Sequence, residues 1–311
     1  MLITIDGGTS NTRLCLQKDG EILSAVRLDK GARFGTQNKP QFLAELGEAL
    51  HTLLSRDHLS ENDIEAVLAS GMITSEGGLC EIPHIPSPAG REELHRAMRR
   101  LSFPMLCACP FYLIPGVRSF GADYRTTDVM RGEETELIGI QDAMDFHGCG
   151  TVILPGSHSK RIETDGNGKI VSFRTALTGE MLAAVCSATI LSSSVTLGKN
   201  ERLNDFLYEG YDFCHENGIN SALFKVRILD RFAGHPADDV YSYLMGVILH
   251  DEIEQLAKEH TPVLIGGRSS FKEASKLLLE RYSDRAVTSV PDEIAAKAAN
   301  LGMEAVFRCA D

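Results

Sequence analysis

Three short stretches of this chain are built from residue types that could hold a phosphate group. The first is DGGTSNTR, Asp6 to Arg13, flanked on both sides by strand-forming residues. Gly7 and Gly8 carry no Cβ, so their backbone N–H groups could face an anion at close range. Thr9, Ser10 and Asn11 add hydroxyl and amide donors, and Asp6 at the strand end could hold a magnesium ion through water. Taken alone, the stretch is as readily a hairpin turn in which Asp6 caps its own backbone. It is not the GxxxxGK[ST] phosphate loop. The second stretch is LPGSHSK, where Gly156 and Ser157 repeat the small-residue cradle and His158 and Lys160 could neutralise charge. One such loop would pass for an ordinary Pro-Gly turn, but two at matching places in the chain weigh against that. The third is VLIGGRSS: an apolar strand ends in Gly266 and Gly267, and Ser269 is placed to cap the helix that follows. That helix N-terminus would then face a ligand, although a plain strand-to-helix turn would look the same.

The elements that must position these loops read as two similar series. Residues 2–5, 12–17 and 21–28 predict three strands with a KDG turn between the last two. Phe42, Leu43, Leu46, Leu50, Leu53 and Leu54 mark a helix over 40–55. A strand at 64–69, a helix at 91–101, a strand at 111–114 and a helix at 129–144 follow. The series then restarts with strands at 151–154, 160–164 and 169–173. Residues 175–260 read as almost entirely helical, and strand 263–265, helix 269–281, strand 286–289 and helix 292–307 close the chain. The prediction is an α/β protein of two βββαβα-like halves, 1–145 and 146–311, the second with a helical insertion over about 176–260.

Composition narrows the function. A length of 311 residues suits two domains. A net charge of -12 argues against nonspecific binding to nucleic acid or to an anionic membrane, since both are polyanions. No apolar run approaches the roughly 20 residues of a membrane span. Of the eight cysteines only Cys107 and Cys109 lie close together, so no zinc site or disulfide framework is indicated and a reduced, cytoplasmic chain is expected.

The order of IDGGTSNTR, ILPGSHSK, LIGGRSS and a final Ala/Gly-rich helix (AAKAANLG) resembles the sugar kinase, Hsp70 and actin ATPase superfamily. DVMRGEETELIG, PGSHSK, FRTALTGE and GMITSEGG bring the resemblance closer, to the 2-dehydro-3-deoxygalactonokinase family, from about residue 3 to 306. The resemblance implies two RNase H-like (actin-like ATPase) lobes, the first mainly sugar-binding and the second nucleotide-binding. It also implies ATP and Mg2+ as cofactors and phosphorylation of the 6-hydroxyl of 2-dehydro-3-deoxy-D-galactonate, a step of galactonate catabolism. The partner is then a small sugar acid, and a homodimer is left open.

Such chemistry needs a base near the hydroxyl, charge relief for the phosphates and a cation for the sugar-acid carboxylate. Val129, Glu133, Leu137, Ile140 and Met144 recur at helical spacing, so Glu133 falls on an apolar stripe. Desolvation there would raise its pKa toward that of a useful base. Glu134, about 100° around the helix, could serve a neighbour, a magnesium water or the substrate. Asp128 is either a helix N-cap or a rival base, as in hexokinase-like relatives. Many superfamily kinases carry their base Asp about where Ser159 stands, and serine cannot fill that role unaided; Glu133 is therefore the expected base. Arg131 and Arg174 are the expected carboxylate partners because the guanidinium fork suits bidentate binding. Arg131 is also grouped with the catalytic residues, and Thr178 and Glu180 go with the substrate. The loop over residues 70–90 is expected to help form the sugar pocket. Alternatives are a kinase for another sugar acid, a sugar-sensing regulator, and an ATPase activator whose iron–sulfur centre would need a cysteine pair such as Cys107 and Cys109.

Overall fold

The computed structural model describes residues 1–119, 121, 123–198, 202–267 and 270–309. By contacts the chain divides into two units, one of Met1–Gly148, Thr164–Phe173 and Glu293–Asp311, the other of Cys149–Glu163 and Arg174–Asp292. The final residues thus group with the first unit, although sequence order placed them in the second half.

The first unit opens with β1 (Leu2–Gly7), β2 (Thr12–Lys18) and β3 (Glu21–Leu28). After the short α1 (Ala32–Gln37) comes α2 (Lys39–Arg56), whose Asn38 cap accepts from the Gln41 N–H at 3.3 Å. Phe42, Leu46, Leu50, Leu53 and Leu54 are buried, as their spacing requires, and pack in one core with Ile3, Ile5, Leu14 and Leu16. β4 (Ala66–Gly71), β5 (Ile85–Pro86) and α3 (Arg91–Ala97) follow. The helix expected to reach residue 101 stops at Ala97, because β6 (Arg99–Leu101) instead pairs antiparallel with the edge of β7 (Phe111–Leu113). The sheet order is β3-β2-β1-β4-β7-β6. β8 (Val117–Ser119) and β9 (Asp128–Met130) form a small sheet with β5.

The helix expected from residue 129 begins four residues later, as α4 (Glu133–Met144). Residues 128–130 are drawn into β9, where Asp128 pairs with Ser119. Asp128 is therefore a strand residue and not the N-cap.

β10 (Gly150–Leu154), β11 (Ser159–Thr164) and β12 (Ile170–Ala176) start the second series. The insertion consists of α5 (Thr178–Ala188), α6 (Phe206–Asn217), α7 (Ile219–Ile228) and α8 (Ala237–Leu256), close to its predicted extent. α8 is buried on all sides between Val240 and His250 and forms the centre of the second core. β13 (Val263–Ile265), α9 (Ser270–Tyr282) and β14 (Val287–Ser289) complete a sheet ordered β12-β11-β10-β13-β14. With β6 left out, the first sheet has the same order, so the predicted repeat of topology is present.

The single helix predicted over 292–307 is broken into α10 (Asp292–Ala295) and α11 (Ala298–Phe307). α11 lies against α4 with backbones nearly touching: a Cβ at Gly302 would fall 1.7 Å from the Thr135 carbonyl, and one at Gly139 1.9 Å from that of Ala298. No described helix is long and apolar enough to cross a membrane.

Candidate active site

β1 and β4 run parallel, and their ends set Asp6 beside Ser70 and Gly7 beside Gly71. Gly71 has φ 82° and Gly132, just before α4, has φ 115°, conformations that side chains resist. A Cβ on Gly71 would meet the Gly7 carbonyl at 2.5 Å, and one on Gly132 would lie 3.1 Å from the Gly71 Cα. These glycines let the start of α4 approach the strand ends directly, so that Glu133 acts on the Asp6 carboxyl and Glu134 meets Ser70.

The two glutamates have different environments. Glu134 is fully buried. Its carboxyl accepts from the Gly132 N–H at 2.8 and 2.9 Å and from the Ser70 Oγ at 3.2 Å. Burial pushes it up to about 8, with the charge of Glu133 adding to the rise. Glu133 is only partly buried and accepts from the Arg131 N–H at 2.9 Å. The desolvated carboxyl is thus Glu134, not Glu133: α4 starts later than expected, and its first turn folds back over its own entry so that position 134 faces inward. Asp6 is also raised, first by burial and further by Glu133, with Arg13 opposing. Asp128, the rival base, accepts the Val129 N–H at 2.7 Å within β9.

Arg131 does not present its fork to a ligand. Its terminal nitrogens donate to the Thr74 carbonyl (2.7 Å), Thr74 Oγ1 (2.6 Å), the Ile82 carbonyl (3.0 Å) and His84 Nδ1 (3.2 Å). Because Nδ1 accepts, the His84 proton sits on Nε2; burial first, then Arg131 and Arg118, push this histidine down to about 4. Arg131 therefore shapes the 72–84 loop from inside. Arg174 is exposed and donates to Gln255 Oε1 at 3.1 Å.

The two glycine-containing loops share a construction. In the first, the Gly8 N–H closes a tight turn onto the Asn11 carbonyl at 2.8 Å, leaving Ser10 and Asn11 exposed. The carbonyls of Gly8 and Thr9 accept from the Ala32 and Arg33 N–H groups at the start of α1, at 3.1 and 3.0 Å. In the second, the carbonyls of Gly156 and Ser157 accept from the Gly179 and Glu180 N–H groups at the start of α5, both at 3.2 Å. Gly31 and Gly179 make the approach possible, since a Cβ there would lie 2.3 and 2.6 Å from the Gly8 and Gly156 carbonyls. In both loops, then, two successive carbonyls are taken up by a helix start.

Other predicted residues support the loops. Ser159 is buried and donates to Glu252 Oε2 at 2.9 Å, while Thr178 donates to the other oxygen of the same carboxylate. His158 Nε2 lies 3.3 Å from Glu180 Oε1. Thr178 and Glu180 are thus bound into the second loop. Lys160 is buried in β11. The Gly266 N–H donates to the Ile153 carbonyl at 2.8 Å, and a Cβ on Gly267 would lie 3.3 Å from the Pro155 carbonyl, so the third stretch abuts the second. Ser269 lies outside the described residues. Arg13 donates to the Ala296 carbonyl at 3.0 Å, which the break between α10 and α11 exposes. Cys107 and Cys109 belong to the first core, and burial pushes Cys109 up to about 12, which does not suit a cluster ligand.

Sequence reasoning missed Ser70 and Glu252. Ser70 follows the predicted strand by one residue, and Glu252 stands among other acids in DEIEQ, so neither was marked by its neighbours.

The family model for 2-keto-3-deoxy-galactonokinase matches residues 6–302, a span containing the motifs above from Asp6 onward. The chain belongs to this family. Among curated relatives of this kinase family, a Rhizobium meliloti (strain 1021) protein named "Probable 2-dehydro-3-deoxygalactonokinase DgoK1" is 29% identical over 80% of this chain and 78% of its own length. The 2-dehydro-3-deoxygalactonokinase of Escherichia coli (strain K12) is 26% identical over 86% and 85%. A Sinorhizobium meliloti crystal structure described as a candidate 2-dehydro-3-deoxygalactonokinase is 24% identical, covers 100% of this chain and 98% of its own, and has a TM-score of 0.79. The Acidaminococcus fermentans (R)-2-hydroxyglutaryl-CoA dehydratase component A shares the fold at a TM-score of 0.53, with 14% identity over 98% of this chain and 96% of its own. The fold is that of the actin-like ATPases and sugar kinases.

Proposed function

We propose that this kinase transfers the terminal phosphoryl group of ATP to the 6-hydroxyl of 2-dehydro-3-deoxy-D-galactonate. The observation that carries the reading is the set of three carboxyls, Asp6 near the end of β1 and Glu133 and Glu134 at the head of α4, in a chain whose family motifs cover both glycine loops. Glu133 is the base: it is the partly exposed member of the pair at the head of α4, whereas Glu134 is sealed in and hydrogen-bonded on both oxygens. It takes the hydroxyl proton as the sugar oxygen bonds to phosphorus and the bond to the ADP oxygen breaks. Glu134 holds the Gly132 N–H and fixes the turn from which Glu133 projects.

The donor set suits a hydrated cation, because Asp6 is a partly buried carboxyl whose charge Arg13 only partly offsets. Magnesium bound with ATP would spread the phosphate charge, with Asp6 holding it through water. The hydroxyls of Thr9 and Ser10 with the Asn11 side chain make the first loop a phosphate binder by residue type, the N–H groups and hydroxyls of Gly156 to His158 do the same for the second, and Gly266 and Gly267 are assigned to adenosine. Arg131 shapes the 72–84 loop for the sugar acid. A cytoplasmic location, where ATP is at hand, goes with this activity.

The test is ATP consumption by the purified protein with magnesium and a panel of sugar acids. Turnover should depend on 2-dehydro-3-deoxygalactonate. Preference for a different sugar acid would leave the kinase reading and remove the substrate, and no turnover on any member would remove both.

A further inference from the structure

We infer that the helical insertion carries a divalent-metal site formed by His215 of α6 and His250 and Glu254 of α8, with zinc as the ion its donors fit best. One potential ligand atom from each residue lies within 4.8 Å of the other two.

Helix packing brings them together. Asn204 contacts Asp239 and Tyr211 contacts Glu254, so α6 and α8 run in the same direction. They approach closely at Gly210 and Gly246, where an added Cβ would lie 2.0 Å from the Tyr243 and Leu207 carbonyls respectively. One and two turns beyond Gly246, on the same stripe of α8, stand His250 and Glu254; on α6, His215 is one turn beyond Tyr211.

The second observation is an unmet valence. His250 is 9% exposed, and its Nε2 is buried with no hydrogen-bond partner. Its Nδ1 lies 2.9 Å from Asp251 Oδ1, and since a carboxylate accepts, Nδ1 carries the proton and Nε2 a lone pair. A carboxylate behind a histidine is the usual support of a metal-binding imidazole. Leaving that buried lone pair unused is costly.

The other two donors are ready. His215 Nδ1 is 3.5 Å from Glu254 Oε2, while Lys258 engages Oε1 at 2.9 Å; Oε2 also accepts from the Tyr211 hydroxyl at 3.3 Å and keeps a second lone pair for the ion. A tetrahedral zinc with ligands at about 2.0–2.1 Å separates its ligand atoms by roughly 3.3 Å, so the donors, all within 4.8 Å of one another, would draw in on binding, with the largely exposed His215 able to rotate. The fourth corner is open to water through the same exposed side. Two imidazoles and a carboxylate favour zinc over magnesium or calcium, which prefer all-oxygen sets. Bound metal would clip α6 to α8 outside the phosphate loops.

The full-length protein, reduced and stripped of metal, should be titrated with Co2+ and then Zn2+. Expected are one equivalent bound, the intense visible bands of tetrahedral cobalt without a thiolate charge-transfer band, and a rise in melting temperature with zinc. His215→Ala and Glu254→Gln, both at positions with solvent access, should each weaken binding at least tenfold and abolish the zinc-induced rise. Asp251→Asn should weaken binding while keeping the cobalt spectrum. No binding by the wild type, binding as tight as wild type by either ligand variant, or a thiolate band would each overturn the site.

Discussion

Ser70 Oγ donates to the buried carboxyl of Glu134 at 3.2 Å, so the end of β4 holds the first turn of α4 by a buried hydrogen bond. The same oxygen meets Thr135 Oγ1 at 3.2 Å. The partly exposed Glu133 is thereby fixed at one remove, through its inward neighbour.

Glu133→Gln should lower kcat by about 10²–10⁴-fold, the usual worth of a positioned base, while KM for ATP stays within a few-fold. Asp128→Asn should leave kcat nearly unchanged, because Asp128 is spent within β9. Steady-state kinetics on both variants checks the assignment, and the reverse pattern would make Asp128 the base.

Glu134 makes stability depend on pH. Its carboxyl is raised from 4.5 to about 8 in the folded protein, so the folded state binds the extra proton. The contribution is complete below pH 4.5 and is lost as pH rises through about 8. Wild type should lose stability relative to Glu134→Gln across that window, by at most about 1.4 kcal/mol per pH unit. Denaturant unfolding of both proteins at several pH values measures the difference; parallel curves would mean an ionised Glu134.

Arg131→Ala should strand the Thr74 and Ile82 carbonyls and the His84 lone pair, costing about 2 kcal/mol or more. KM for the sugar acid should rise more than KM for ATP, since the loop it shapes is on the sugar side. Arg131→Lys should recover little, as an ammonium cannot span the same acceptors. Thermal melts with kinetics on both variants test this, and full rescue by lysine would reduce Arg131 to a charge.

Glu252→Ala releases Ser159 and Thr178 together. The second loop should lose definition, raising KM for ATP several-fold with little change in KM for the sugar acid. An unchanged KM for ATP would separate Glu252 from nucleotide binding.

Much of the fold was legible because periodicity reports burial directly. The stripe from Phe42 to Leu54 and the three-strand openings of both halves came out where their apolar residues required. The head of α4 did not, because Asp128 to Met130 form a strand only by pairing with Val117 to Ser119, and no local pattern announces a partner ten residues away. The choice between Glu133 and Glu134 turned on that boundary: moving the helix start changed which carboxylate faced inward. Arg131 looked like a ligand fork by type, yet its acceptors come from a loop some fifty residues earlier. Side-chain identity suggested the chemistry, and long-range pairing decided which atoms were left to perform it.

The near-contact of α4 with α11, through Gly139 and Gly302, gives the chain's last turns a bearing on turnover. A nonsense codon near residue 295 would leave every phosphate and sugar motif intact in the message and yet yield an inert product. The helix that aims Glu133 would have lost the brace it leans on, so clinical-style truncation scoring by motif content alone would misjudge such an allele.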